Sequence, residues 1–308
     1  MLLHILLYNI APVFFLIGLG YTLGKKFSLD TRSLSKLSVY IFIPSMIFQN
    51  LYETDIDLEQ LIPVIFTVIF VILLSLVSTA AAKINRYSDS KKNSMKNAVM
   101  FYNSGNFGLP LISLVFANTP MVDNAISVQI MVMVSQNLLN YSFGFYNAAR
   151  GIMDFKTSIK SVLKMPTIYA IMSALIAKAI PYDLRDFFLW PAVRYAANSL
   201  IAVNLLILGI QLSLTKFELK NKDVYFTAFL RLCMGPVIAY LLILLLRIEG
   251  VMAMVLLISS GLPTAVNTVL AATEFNNEPE FATQTVVVTT LFCLFTLPLV
   301  IYFARMIF

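Results

Sequence analysis

Charge is what this sequence has least of. Asp, Glu, Lys and Arg make up 12% of its 308 residues, where a soluble domain carries about a quarter. A chain this poor in charge and 59% hydrophobic is not a soluble globular protein, and it is read as a polytopic membrane protein. Histidine is nearly missing, His4 being the single one, and the two cysteines, Cys233 and Cys293, both fall in apolar runs. Neither a metal centre nor a disulfide framework is expected from so few ligands, and no cofactor is implied. The net charge of +6 does not signal a nucleic-acid partner, because the bases gather in short segments between the apolar runs. No ATP-binding motif is present, which excludes pumping by this chain alone. No low-complexity segment interrupts the chain.

What is there in quantity is apolar sequence. Ten runs have the length that a hydrocarbon core of about 30 Å demands: residues 2–23, 34–51, 61–82, 95–117, 124–148, 166–180, 190–214, 224–246, 251–272 and 281–308. No base precedes the first run, Lys25 and Lys26 follow it, and no small-residue cleavage site is evident. It reads as a retained span, not a leader. The segments after runs one, three, five and seven, with their flanks, hold sixteen Lys and Arg against five on the opposite side. By the positive-inside bias the first set is cytoplasmic, and both termini are extracytoplasmic in the cell (plasma or inner) membrane. Segment 273–280 departs from this pattern, since it carries only acids, so the direction of the last run is the least secured. Five runs per half turn the second half upside down relative to the first. The expected fold is therefore an all-α polytopic membrane protein of ten transmembrane helices in two inverted five-helix repeats, 1–150 and 151–308.

Two of the runs are interrupted. Asn103-Ser104-Gly105-Asn106-Phe107-Gly108-Leu109-Pro110 sits inside the fourth, and Gly261-Leu262-Pro263 inside the ninth, with the two prolines 153 residues apart. Gly and Pro weaken helices, and broken backbone is tolerated in hydrocarbon only where protein or a watery cavity surrounds it. The half-helices starting near Pro110 and Pro263 are expected to aim their N-termini at mid-membrane from opposite sides. Each N-terminus offers bare N–H groups and about half a positive charge, which together suit an anion. Carbonyl ends of the preceding half-helices meet there too and suit a cation. Asn103 and Asn106 share a face, as do Ser260, Thr264 and Asn267; with Gly108, Pro110 and Pro263 they are the candidate substrate-binding residues. Packing alone explains one Gly–Pro break; a matched pair with polar flanks points to a site.

Other polar stripes read first as hydrogen-bonded seams between helices: Gln129, Gln136 and Asn140 in the fifth run, Asn204 and Gln211 in the seventh, and Thr285, Thr289, Cys293 and Thr296 in the tenth. Gln136 and Asn140 are the best candidates to stand behind the site. Arg231, inside the eighth run, has two readings: it snorkels to the interface, or it helps to neutralise a bound anion. No Asp or Glu lies deep in any run. A paired-carboxylate proton antiporter is thus not expected, and neither is an enzyme, which would need a nucleophile with its base or a metal cluster.

The two interrupted motifs, together with Thr264-Ala265-Val266-Asn267, Thr289-Thr290-Leu291, Leu297-Pro298-Leu299, Met165-Pro166 and Leu208-Gly209, resemble the auxin efflux carrier family of membrane transporters over essentially the whole chain. The resemblance implies that runs four and nine cross at their prolines beside a substrate site. It implies a scaffold of runs 1, 2, 6 and 7, usually a homodimer, and a moving unit of runs 3–5 and 8–10. It also implies organic-anion substrates, in bacteria small carboxylates such as malate or malonate. The long central loop of plant members is missing, so auxin itself is not expected. The expectation is a secondary active transporter of a small organic anion by alternating access, elevator-like, with Asn103, Asn106, Thr264 and Asn267 on the carboxylate. A sodium-coupled symporter of the bile-acid type is the alternative, a membrane-embedded sensor or enzyme a further one. Coupling to H+ or Na+ stays open.

Overall fold

A computed structural model describes residues 5–27, 29–53, 61–149, 166–214 and 221–308. His4, the acids Asp55, Asp57 and Glu59, the bases Arg150, Lys156, Lys160, Lys164, Lys216 and Lys220, and the boundary between the expected halves lie outside the described residues.

Twelve helices and one short 3-10 turn at Leu184–Asp186 make up the described chain, counting a π turn as part of the helix it continues. α1 is Ala11–Lys26, entered through a π turn at Ile5–Ile10. α2 runs through Thr31–Leu37, a π turn at Ser38–Phe42, and Ile43–Glu53. α3 is Leu61–Ile84, α4 Asp89–Met100 and α5 Ser104–Phe116. α6 comprises Val122–Leu139, a π turn at Asn140–Gly144, and Phe145–Ala148. α7 is Pro166–Lys178, α8 Trp190–Ser213, α9 Lys222–Leu246, α10 Gly250–Ser260, α11 Asn267–Glu274 and α12 Pro279–Ile307. Among the described residues four helices, α3, α8, α9 and α12, are each long and apolar enough to cross a bilayer. No strand forms among them beyond one bridged residue pair.

Local chemistry sets the ends. The Ser88 hydroxyl accepts from the Lys91 N–H at the start of α4, and the Asn221 side chain accepts from the Asp223 N–H at the start of α9; both are ordinary N-caps. α3 and α9 stop in the same way. Arg86 and Arg247 take left-handed φ of 53° and 54°, and Tyr87 N–H and Ile248 N–H reach back to the Ala82 and Ile243 carbonyls at 3.0 Å. That six-to-one bond satisfies carbonyls the helix end would leave bare.

Two packed groups result. In the first, α1 lies along α8, and α2 packs on both α8 and α7. Glycine permits the α1–α8 contact: a Cβ on Gly209 would collide with the Ile17 carbonyl oxygen, and one on Gly20 with that of Leu206. The Ser38 hydroxyl donates to the Asn204 side chain across α2 and α8. In the second group, α3 packs on α4, α6 and α9, and α12 packs on α4, α9, α10 and α11. α6 joins α4, α5 and α10 there, and α9 joins α10. α3 shows how burial is apportioned within a uniformly apolar helix: Phe66, Phe70 and Leu74 are fully buried, while Ile65, Ile72 and Leu76 lie more than half exposed on the opposite face.

The two interrupted runs depart from expectation in detail. α4 ends at Met100 and α5 already begins at Ser104, so the first break precedes Pro110, which sits within α5. The physical reason is a π turn at Ser104–Gly108, which gives the Pro110 ring room without ending the helix. α10 ends at Ser260 and α11 begins at Asn267, which puts Pro263 and Thr264 in the non-helical link. Ser260, Thr264 and Asn267 therefore do not share a helical face.

Candidate functional site

The two breaks meet. Asn103 N–H donates to the Pro263 carbonyl at 2.8 Å, and Ala265 N–H donates to the Phe101 carbonyl at 3.0 Å. Tyr102 and Thr264 lie opposite each other as an antiparallel pair between those bonds. Four backbone groups that a helix break would orphan in hydrocarbon are thus satisfied by the other break.

Side chains complete the crossing. The Thr264 hydroxyl donates to the Ala98 carbonyl (2.8 Å), and Thr264 N–H donates to the Thr289 hydroxyl (3.1 Å). Gln129, fully buried on α6, donates to the Ser104 carbonyl (2.8 Å) and accepts from the Ser259 hydroxyl. At Gly108, α5 lies close against both α6 and the second break, since a Cβ there would lie 2.6 Å from both Gln129 Nε2 and Leu262 Cδ1.

Arg231 is fully buried. Its Nη1 donates to the Val99 carbonyl (2.7 Å) and its Nη2 to the Ser260 carbonyl. The guanidinium lies over the Tyr102 ring at 5.0 Å and the Phe70 ring at 5.8 Å. The interfacial reading of Arg231 is therefore corrected: the carbonyl ends of α4 and α10 converge on one point and supply acceptors that the interface does not.

Beside the crossing lies a cavity lined by Tyr102, Asn103, Ser104, Gly105 and Asn106 from the first break and the start of α5, and by Ala265, Val266 and Asn267 from the second break and the start of α11. Met133, Gln136, Asn137, Asn140 and Tyr141 of α6 form a second wall; Val39 and Ile43 of α2 and Pro166 of α7 close it. The N-terminal turns of two half-helices thus face one space. Six carboxamide side chains line it, and among the described residues no Asp, Glu, His, Lys or Arg does. Asn103 Nδ2, Asn140 Oδ1 and both polar atoms of Gln136 are buried without a formed hydrogen bond, although the Tyr102 hydroxyl faces Gln136 and Thr67. Buried amide groups left unpaired cost about 1–3 kcal/mol each, so such a cluster calls for a partner.

Of the residues singled out from sequence, Asn103, Asn106, Asn267, Gln136 and Asn140 line the cavity. Gly108, Pro110, Ser260, Pro263, Thr264 and Arg231 do not; they lie in and around the crossing itself. Asn137, Tyr102 and Tyr141 were not singled out. Asn137 and Tyr141 lie one turn apart beside the Gln136–Asn140 pair, and that spacing was the available signal. The Gln129, Gln136 and Asn140 stripe divides, with its first member in the crossing and the other two on the cavity. The threonine stripe of α12 is no seam between helices for most of its length. Thr285, Thr289 and Cys293 donate to carbonyls of their own helix, and only the Thr289 hydroxyl also accepts across, from Thr264.

Residues 5–301 match the family model described as "Membrane transport protein". Similar chains include an uncharacterized transporter of Methanothermobacter thermautotrophicus, 22% identical over 94% of this chain and 96% of its own length. Another is the uncharacterized transporter YfdV of Escherichia coli, 22% identical over 97% of this chain and 98% of its own. A third, from Methanocaldococcus jannaschii, is 23% identical over 87% of this chain and 88% of its own. With a match from one end to the other, and with the crossed breaks in place, the chain belongs to the membrane transport protein family, the auxin efflux carrier family of transporters.

Proposed function

We propose that this membrane transporter is a secondary transporter of a small organic anion, a carboxylate such as malate or malonate, working by alternating access. The observation that carries this reading is the cavity walled by two half-helix N-terminal turns and by unpaired carboxamides. Converging N-termini favour negative charge without a buried base, and amide N–H groups donate to a carboxylate while tolerating a polar remainder. Asn103, Asn106 and Asn267 hold the carboxylate; Gln136, Asn137 and Asn140 hold the rest of the solute. The cavity measures about 90 Å³, room for roughly three waters at about 30 Å³ each. That favours a solute of few atoms over an aromatic hormone.

The helix pairings support an inverted repeat of ten spans. In such a repeat each span answers to the one five later, and the pairings exchange accordingly: α3–α4 with α9–α10, α3–α6 with α9–α12, α5–α6 with α11–α12, and α1–α8 with α7–α2. The matched left-handed caps at Arg86 and Arg247 agree with it. In this reading α1, α2, α7 and α8 are the scaffold and the homodimer face, and the other helices carry the solute. The bias of bases in the sequence places both termini outside a plasma or inner membrane. The cavity then faces the cytoplasm, because Pro166 on its wall follows the basic segment 150–165.

Uptake of radiolabelled malate and malonate into proteoliposomes tests the reading. Asn106→Ala and Asn267→Ala are expected to abolish uptake in protein that remains monodisperse; full activity in both variants sinks the site. Since none of the described residues lining the cavity is Asp, Glu or His, affinity is expected to fall as pH drops through the solute's own carboxyl pKa and to be flat above it.

A further inference from the structure

Arg231 is a full positive charge with no exposure, and among the described residues no ion pair includes it. What it faces instead is the carbonyl ends of two half-helices, through Val99 at the end of α4 and Ser260 at the end of α10. Each helix C-terminus carries about half a negative charge, so the two together match one guanidinium. α9 is shaped for this contact. Arg231 sits in a π turn at Leu230–Met234, a feature frequent at functional sites. One turn on, Gly235 leaves the space the guanidinium needs; a Cβ there would lie 2.7 Å from Arg231 Nη2 and 3.1 Å from the Ser260 carbonyl oxygen. The rings of Tyr102 and Phe70 cover the cation.

In transporters built on broken helices, half-helix C-terminal ends and unwound carbonyls are the groups that coordinate a coupling cation. We propose that Arg231 is a tethered cation occupying that place, so that the crossing binds no sodium and does not require it. The side chain also screens the negative helix ends, which leaves the positive field of the α5 and α11 N-termini unopposed on the cavity side. The proposal rests on the crossing alone and not on which solute the cavity takes.

Thermal unfolding of the purified chain in detergent reads it without any solute. Wild-type protein is expected to melt at the same temperature in sodium chloride and in choline chloride of equal ionic strength. Arg231→Ala opens a cation-sized space bounded by two bare carbonyls; its melting temperature is expected to drop by several degrees and to recover saturably in about 10 mM guanidinium chloride, far below denaturing concentrations and within reach of ordinary ligand linkage. Urea at the same concentration is expected to do nothing, and wild-type protein is expected to gain nothing from guanidinium. Should Arg231→Ala not fold, Gly235→Ala, which crowds the guanidinium away from its carbonyls, is expected to show the same drop. A saturable, sodium-specific rise in the wild-type melting temperature overturns the proposal. So does an Arg231→Ala protein that melts like wild type, or one that neither guanidinium nor sodium restores.

Discussion

Gln129 and Gln136 are seven residues apart on α6, carry the same amide and are both buried, yet they face different partners. Gln129 is fully engaged, donating to the Ser104 carbonyl and accepting from the Ser259 hydroxyl. Gln129→Leu leaves both of those groups bare in the interior, at about 1–3 kcal/mol each, so a loss of about 2–6 kcal/mol is expected in denaturant unfolding of the detergent-solubilised protein. Gln136 lies on the cavity wall with only the Tyr102 hydroxyl facing it and no formed hydrogen bond. Gln136→Leu removes buried amide atoms that have no formed partner, so stability is expected to hold or to rise by about 1–3 kcal/mol while solute affinity falls at least tenfold in equilibrium binding. If the two variants behave alike in both assays, the division of α6 between crossing and cavity is wrong. The sequence showed these residues as one stripe with Asn140. Spacing along a helix says which residues share a face; it does not say which neighbour stands opposite, and here two different neighbours do. Arg231 had the same difficulty. Its rarity in an apolar run marked it, but its acceptors are backbone carbonyls 132 and 29 residues away, which have no signature in side-chain identity.

Among the elements, the long apolar helices were readable to within two residues at most ends. Run 61–82 became Leu61–Ile84, 190–214 became Trp190–Ser213 and 281–308 became Pro279–Ile307. Their buried faces were not readable, because α3 is apolar all round and only its neighbours decide that Phe66 is inside and Ile65 outside. The π turns were hidden too, having no composition of their own, and one of them moved the first break. The motif announced a broken helix through Pro110, but the backbone exchange at Asn103–Pro263 and Ala265–Phe101 is what holds the break open. Pro110→Ala therefore has a specific expected outcome. It restores an N–H and removes a ring that the π turn already accommodates, and the two interbreak bonds persist. Stability is expected to change by no more than about 1 kcal/mol and solute binding to survive, as calorimetry on the purified variant would record. Collapse of binding in Pro110→Ala would mean that the ring, and not the paired backbone, sets the site. Gly209→Ala is the opposite case: it drives a Cβ into the backbone of α1, which cannot turn aside, so severe destabilisation is expected from a single methyl.

At the scale of the whole molecule, the cavity lies where the two packed groups meet, with Val39, Ile43 and Pro166 from one and the crossing and α6 from the other. A solute held in this way is bound by the crossing but walled off by α2 and α7. If it crosses the membrane with the crossing, α2 and α6 have to slide past each other while α1 and α8 stay together. The glycine contacts of α1 on α8 fit a pair that does not move internally, because backbone against backbone leaves no slack. Two cross-links on a background lacking Cys233 and Cys293 separate these motions. Val39→Cys with Tyr141→Cys places thiols on both sides of the cavity, and a bifunctional thiol reagent joining them is expected to stop uptake until reduced. Gly24→Cys with Ser213→Cys joins α1 to α8, where a Cβ on Gly24 would lie 3.1 Å from that of Ser213, a little inside disulfide range and close enough to form with a small shift. Oxidation of that pair is expected to leave uptake unchanged. Both cross-links stopping uptake would mean that α1 and α8 also rearrange, and neither stopping it would mean that the solute moves through a rigid channel between the groups.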